Sequence, residues 1–295
     1  MKAKANGIEI EYEAYGDESA PAVLLIMGLG AQLTLWPMPM VEGLVARGYR
    51  AIRYDNRDVG LSTKFDDAEA PAMTAIVAAL MTGAKPDVPY LLADMAADAI
   101  GLLDVLGIHK AHVMGASMGG MIAQMVAATW PDRVLSLTSI MSTTGNPMLP
   151  PASPEAMAVL TTRPTGADED AIVAHGVRAE KVIGSPGYPA DEAVLTERVR
   201  AGFRRMHYPP GFARQMAAIV GSGDRRAALT TITAPTMVIH GADDPLVPLA
   251  GGRDTAATIP GAKIVEIPGM GHNLPEALIG AVLDAFEQVA RPVTA

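Results

Sequence analysis

The feature of this chain that most restricts its fold is the alternation of short apolar runs with longer stretches of helical spacing. Residues 22–27 are solidly apolar and end in Gly28-Leu29-Gly30, as expected of a strand buried on both faces of a parallel sheet. Residues 50–54, 111–115, 134–140, 235–240 and 263–267 repeat the pattern, each run stopping at turn-forming or polar residues. Between them, apolar residues recur three and four apart over 38–47, 91–106, 118–129 and 275–289, which predicts helices. Residues 8–15 alternate apolar and polar side chains and predict an antiparallel edge strand on the same sheet. The expected class is α/β, a mostly parallel sheet flanked by helices.

The rhythm breaks between residues 142 and 228, where Pro and Gly cluster and helical patterns run over 168–183, 191–206 and 209–220 with no strand between them. This stretch is expected to be a helical cap inserted into a core of residues 1–141 and 229–295. Insertions at the carboxyl ends of parallel strands lie above the ligand crevice. With 49% hydrophobic and 19% charged residues among 295, the chain can bury a large core, so a disordered chain is excluded.

Several function classes drop out on composition. There are 23 basic and 32 acidic residues, a formal charge of −9, and no run of three Lys or Arg, so no nucleic-acid partner is expected. The absence of Cys excludes disulfides, thiolate metal sites and a cysteine nucleophile. The apolar runs fall well short of the roughly 20 residues that span a bilayer. The first sixteen residues are polar and mixed in charge, unlike a secretory leader. No membrane association and a cytoplasmic location are expected; oligomeric state is not legible.

Gly115-Ala116-Ser117-Met118-Gly119 follows the run 111–115 and opens a helical pattern, satisfying G-x-S-x-G in its strand-turn-helix context. Such a turn holds the Ser in a strained conformation, and the residues two before and two after it must be small. Gly120 reads as a packing residue. No phosphate-binding glycine pattern can be aligned on this segment.

A serine hydroxyl becomes a nucleophile when an imidazole takes its proton and a carboxylate orients that imidazole. Of six histidines, His109 and His112 stand at the opposite end of the strand from Ser117, His175 and His207 lie in the cap patterns, and His240 closes a strand and reads as packing. His272, in the loop after the last strand, is the candidate base. The acid belongs on a loop between Ser117 and His272 in the chain, and Gly241-Ala242-Asp243-Asp244-Pro245 is that loop. Asp244 is chosen over Asp243 because it stands three residues after Gly241 with Pro245 stiffening the turn. Asp243 reads as a turn cap or a solvent-facing group.

The oxyanion of a tetrahedral intermediate needs two backbone N–H donors, one after the nucleophile and one from the loop after the first parallel strand. Met118 and Leu29 occupy those places, with Gly28 and Gly30 allowing close approach. The chain carries 18 Met against 4 Phe, 7 Tyr and 2 Trp, and Met adapts to varied apolar shapes. Gly28, Trp36 and Met141 are the expected substrate-binding residues, with Met38, Met40 and Met148 as further pocket candidates. The charged segment 54–62 reads as an ion-pair turn, and Asp94 and Asp98, four apart on one helix, as solvated carboxylates.

Together, Met27-Gly28-Leu29-Gly30, the segment 54–62, the turn 115–120, the stretch from Ala234-Pro235 to Pro245 and residues 269–274 resemble the α/β-hydrolase superfamily, in particular the esterase branch that includes aclacinomycin methylesterase-like enzymes. The resemblance covers nearly all of the sheet-forming chain. It implies an eight-stranded sheet, Ser117, Asp244 and His272 as triad, Leu29 and Met118 as oxyanion donors, and no cofactor or metal. Met27 departs from the pattern, since many relatives have His there. The implied activity is hydrolysis of small to medium apolar carboxylic esters through an acyl-enzyme. Lactone hydrolysis, carbon-carbon bond hydrolysis, perhydrolysis or a ligand-binding receptor with a residual triad are the alternatives. Ser117 in place of a carboxylate argues against dehalogenase and epoxide hydrolase chemistry.

Overall fold

The computed structural model describes residues 1–162, 164–166 and 168–290; the last five residues of the expected core segment lie outside them. The strands are β1 (Lys2–Ala5), β2 (Ile8–Tyr15), β3 (Ala22–Ile26), β4 (Arg50–Tyr54), β5 (Ala111–Ala116), β6 (Val134–Ile140), β7 (Thr236–Gly241) and β8 (Lys263–Ile267). They form one sheet in the order β1-β2-β4-β3-β5-β6-β7-β8. Only the β1–β2 and β2–β4 pairs are antiparallel. The helices are α1 (Met38–Ala46), α2 (Met73–Met81), α3 (Leu92–Val105), α4 (Met118–Thr129), α5 (Pro154–Thr161), α6 (Glu169–Ile183), α7 (Glu192–Arg205), α8 (Pro209–Ser222), α9 (Arg226–Leu229), α10 (Leu249–Thr258) and α11 (Ile279–Ala290).

Residues 8–15 are not the edge of the sheet, as the alternation alone suggests, because β1 pairs outside them. Asn6 and Gly7 both adopt positive φ (49° and 78°), the two-residue turn that matches the twist of a hairpin, and Ala5 pairs with Ile8 across it. In β3 the period-two alternation serves two cores. Ala22, Leu24 and Ile26 pack with α3 and α4 on one face, and Val23, Leu25 and Met27 pack with α1 and α11 on the other. Both faces being covered explains why the run is apolar throughout.

Between β6 and β7 the chain makes α5 to α9 and no strand among the described residues. Asp168 and Asp191 cap α6 and α7, their carboxylates accepting from the amides of Ala171 and of Ala193 and Val194. Helices α2 and α10 are not among those that the apolar spacing predicts. In α10 the pair Gly251-Gly252 looks like a loop, yet a Cβ at Gly252 would stand 2.4 Å from His240 Nδ1, so close packing requires the glycine.

The charged side chains of residues 54–62 form their ion pairs with groups outside the segment and not with one another. Arg57 binds Asp98 through two hydrogen bonds of 2.6 and 2.7 Å, so Asp98 is buried rather than solvated, while Asp94 is exposed and accepts from the Leu91 amide. Asp58 takes a bidentate contact from Arg214 of α8, both bonds 2.8 Å, and Asp55 pairs with Arg205 of α7 at 2.8 Å. Burial would raise the Asp58 carboxyl pKa, but hydrogen bonds from Arg214, Tyr90 and the Phe65 amide outweigh it and hold the pKa below the ordinary value. The Arg214 and Arg205 pairs seat α8 and α7 on the sheet. No helix among the described residues is long and apolar enough to cross a membrane.

His112 lies near the start of β5, its Nδ1 2.8 Å from Ser136 Oγ and its ring against the edges of Tyr49 and Phe286. Burial pushes its pKa down from 6.5 to about 4. The folded protein therefore keeps this imidazole neutral over a range in which the unfolded chain binds a proton, so acid favours unfolding between those values. Wild type should lose up to about 3 kcal/mol more stability than His112→Gln between pH 7 and pH 4, read as the difference in urea midpoints. Parallel losses in the two proteins would contradict this account.

Candidate active site

The strand order reverses at β3, which has β4 on one side and β5 on the other, and ligands of open α/β sheets bind at such a point. Ile26 pairs with Gly115, so the chain leaving β3 runs beside the chain leaving β5. Ser117 sits between β5 and α4 at φ 57°, ψ −122°, a conformation that costs a non-glycine residue about 1–3 kcal/mol. A Cβ at Gly115 would stand 2.0 Å from Gly119 O, and one at Gly119 would stand 2.0 Å from Ile26 O. Glycine at both positions lets strand, turn and helix close. At Gly120 a Cβ would approach Ser142 Cβ to 2.6 Å, consistent with a packing residue. The Ser117 amide donates to Ile140 O at 2.9 Å, and the Ser117 carbonyl accepts from Gly120 N, Met121 N and Ser142 Oγ.

The loops after β7 and β8 bring a carboxylate and an imidazole to this turn. Ser117 Oγ lies 2.9 Å from His272 Nε2, and His272 Nδ1 lies 2.7 Å from Asp244 Oδ2. A carboxylate accepts only, so Nδ1 carries the proton and Nε2 is left to accept from the serine hydroxyl. Asp244 and His272 are buried. Asp244 Oδ1 also accepts from the amides of Leu246 and Val247 at 2.9 and 2.8 Å. Asp243 points elsewhere, accepting at 2.7 Å from the Gly269 amide.

His240 stands 3.7 Å from Asp244 Oδ2 but donates through Nε2 to Val247 O at 2.8 Å, and burial pushes its pKa down. It is a neutral packing group. His109 is exposed, while His175 and His207 lie on or beside the helices of the insertion. A hydroxyl, imidazole and buried carboxylate in line can transfer a proton away from the hydroxyl as it attacks an electrophile.

The Gly28 backbone passes against the serine, a Cβ there standing 3.1 Å from Ser117 Cβ and 3.6 Å from Oγ. The amides of Leu29 and Met118 donate to no protein acceptor among the described residues; Met118 opens α4, where intrahelical acceptors are lacking. A cavity of about 280 Å³ reaches Ser117 and His272. It is lined chiefly by apolar side chains, among them Met121, Met141, Met216 and Ile219, with the Glu180–Arg198 pair on one wall.

Gly28, Leu29 and Met141 border this cavity; Trp36 does not. The short turn Leu33–Leu35 directs Trp36 into the core beside α1 and α11, where it is fully buried and its carbonyl accepts from Arg53 Nη1. Met40 is buried in the same core, and Met38 and Met148 are exposed away from the cavity lining. In α1 the periodicity that buries Met40 claims that side chain before any ligand can.

Ser185, just after α6, has no signal in the sequence, yet its Oγ accepts from the Gly271 amide at 2.9 Å and donates to Asn273 Oδ1. The His272 amide donates to Ile183 O at 2.7 Å. The end of α6 therefore splints the loop that carries the imidazole. Among the described residues no group of three or more His, Asp or Glu could hold a metal ion.

With this geometry in view, the class of the protein follows: the chain belongs to the alpha/beta hydrolase fold family, whose pattern matches residues 21–276. Rhodomycin D methylesterase DauP of Streptomyces sp. (strain C5) is 31% identical over 288 residues, covering 90% of this chain and 89% of the relative. Rhodomycin D methylesterase DnrP of Streptomyces peucetius is 32% identical over 287 residues, with coverage of 90% and 89%. The enol-lactonase of Burkholderia xenovorans LB400 superposes with a TM-score of 0.70 at 25% identity, over 98% of this chain and 100% of that one. By family the protein is a hydrolase, and it is similar to methylesterases over most of its length.

The steric account of the turn is tested by contrast. Gly119→Ala should cost about 3 kcal/mol or more, because backbone rather than a flexible side chain blocks the new methyl. Gly280→Ala, where nothing lies within 4 Å, should be neutral or stabilise α11 by up to about 1 kcal/mol. Urea unfolding of both variants reads the difference, and equal midpoints would refute it.

Proposed function

We propose that this protein is a serine carboxylesterase that cleaves small to medium apolar esters through an acyl-enzyme on Ser117. The observation that carries the reading is the hydrogen-bonded line from Ser117 through His272 to Asp244. His272 Nε2 takes the hydroxyl proton as Oγ attacks the ester carbonyl, and Asp244 stabilises the imidazolium that forms. The Leu29 and Met118 amides receive the oxyanion. His272 then gives its proton to the departing alcohol, and the ester bond breaks to leave the acyl group on Oγ. A water deprotonated by His272 attacks that acyl group and releases the acid. No step calls for a cofactor.

The apolar lining of the cavity supports an uncharged substrate, and its volume of about 280 Å³ is near the lower end of ligand pockets. The insertion 142–228 acts as the cap that supplies the wall opposite the sheet. The methylesterase relatives support ester hydrolysis. A second reading, lactone hydrolysis on the same three residues, is favoured by the structural likeness to an enol-lactonase.

A panel of p-nitrophenyl esters, methyl esters and lactones separates the two readings. Ester turnover should exceed lactone turnover, and Ser117→Ala should lower kcat by about 10⁴-fold or more. Ser117→Ala with unchanged turnover would overturn the assignment. Asp244→Asn should cost about 10³- to 10⁴-fold in kcat and Asp243→Asn less than about tenfold, since Asp243 bonds a loop amide and not the imidazole. The reverse order would move the acid by one residue.

A further inference from the structure

The loop that carries the Leu29 amide is held by a side chain from a distant part of the chain. Gly28 O accepts from the Ala31 amide at 3.2 Å, so residues 28–31 form a reverse turn. Gly30 has φ 66° and Leu29 does not have positive φ, which is the type II pattern. Type I and type II turns differ by a flip of the central peptide, here the one joining Leu29 to Gly30. Its N–H points to Gln215 of α8 and donates to Oε1 at 2.8 Å.

Gln215 cannot trade its two amide ends. Nε2 donates at 2.7 Å to the carbonyl of Arg57, which only accepts, and Oε1 meets an N–H, which only donates. The side chain is fully buried. Its helix is pinned by the neighbouring Arg214 on Asp58 and by the approach of Gly211 to the Asp58 carbonyl, where a Cβ would stand 2.0 Å away. The far end of the same loop is held by the insertion as well, Gln32 Nε2 donating to Gly202 O at 2.7 Å and Arg205 donating to Gln32 Oε1 at 2.6 Å.

We propose that Gln215 is a positioning residue for the oxyanion site: by capturing the Gly30 N–H it fixes the turn 28–31, and with it the place of the Leu29 amide that the turn holds toward the reacting carbonyl. This rests on the esterase reading above. Gln215 touches no substrate atom in this scheme. It acts on the transition state, where the oxyanion develops, and leaves ground-state binding to the cavity.

The test is Gln215→Leu, with Gly30→Ala as a second perturbation of the same turn that removes no buried side chain. Both should lower kcat for a p-nitrophenyl ester about 10- to 100-fold with KM changed less than about threefold. The inhibition constant of a trifluoromethyl ketone, whose adduct with Ser117 carries the oxyanion, should weaken by a similar factor. The Kd of an uncleaved ester, measured in the Ser117→Ala background, should stay the same. These affinities do not depend on how much of a variant is folded. Ester turnover by wild type with kcat and ketone affinity unchanged in both variants overturns the proposal alone, as does an equal loss of ketone and ester affinity. A wild type that hydrolyses no ester overturns the esterase reading and this proposal with it.

Discussion

A serine backbone bent into a region that side chains avoid, and held there by contacts that leave no room for a methyl on either flanking glycine, governs the rest of this molecule. Ser117 at φ 57° costs about 1–3 kcal/mol, which persists because β5, α4 and the end of β3 converge without room for a methyl at residue 115 or 119. That bend lifts the hydroxyl out of the sheet at the point where strand order reverses. The loops after β3, β7 and β8 therefore all open toward it.

The helices between β6 and β7 help to hold this site in place. Three carboxylates that follow β4 or lie near it on α3 are matched by arginines: Asp55 by Arg205, Asp58 by Arg214 and Asp98 by Arg57. Buried pairs of this kind contribute little net stability, because desolvation offsets attraction, but removing one partner strands a buried charge. Two of the three join the insertion to the core, so they select one seating of α7 and α8 over others. From that seating Gln215 reaches the Leu29 loop, and from the end of α6 Ser185 and Ile183 reach the His272 loop.

Similarity to methylesterases over 90% of the chain concerns the class of bond. The cavity lined by Met121, Met141, Met216 and Ile219, with one ion pair on its wall, concerns the shape and polarity of what enters. A wall of methionines tolerates many shapes, so the bond is better constrained than the groups on either side of it.

What the amino-acid order determined on its own was whatever depends on neighbours in the chain. Strands β3 to β8 and helices α1, α3 and α4 were legible because burial on a fixed face imposes a period of two or 3.6, and the Ser117 turn because its glycines lie two residues away on each side. The hairpin edge β1 had a signal in Asn6-Gly7, outweighed by its short polar strand. Asp244 over Asp243 could be argued from turn stiffness, and the structure joins Asp244 to His272. Only tertiary structure decided that Trp36 packs in the core, that Asp98 is buried on Arg57, and that Gln215 and Ser185 stand behind the site. Those contacts join residues dozens to more than a hundred positions apart, and a polar side chain with no periodic or turn context takes its role from whichever distant group the fold sets against it.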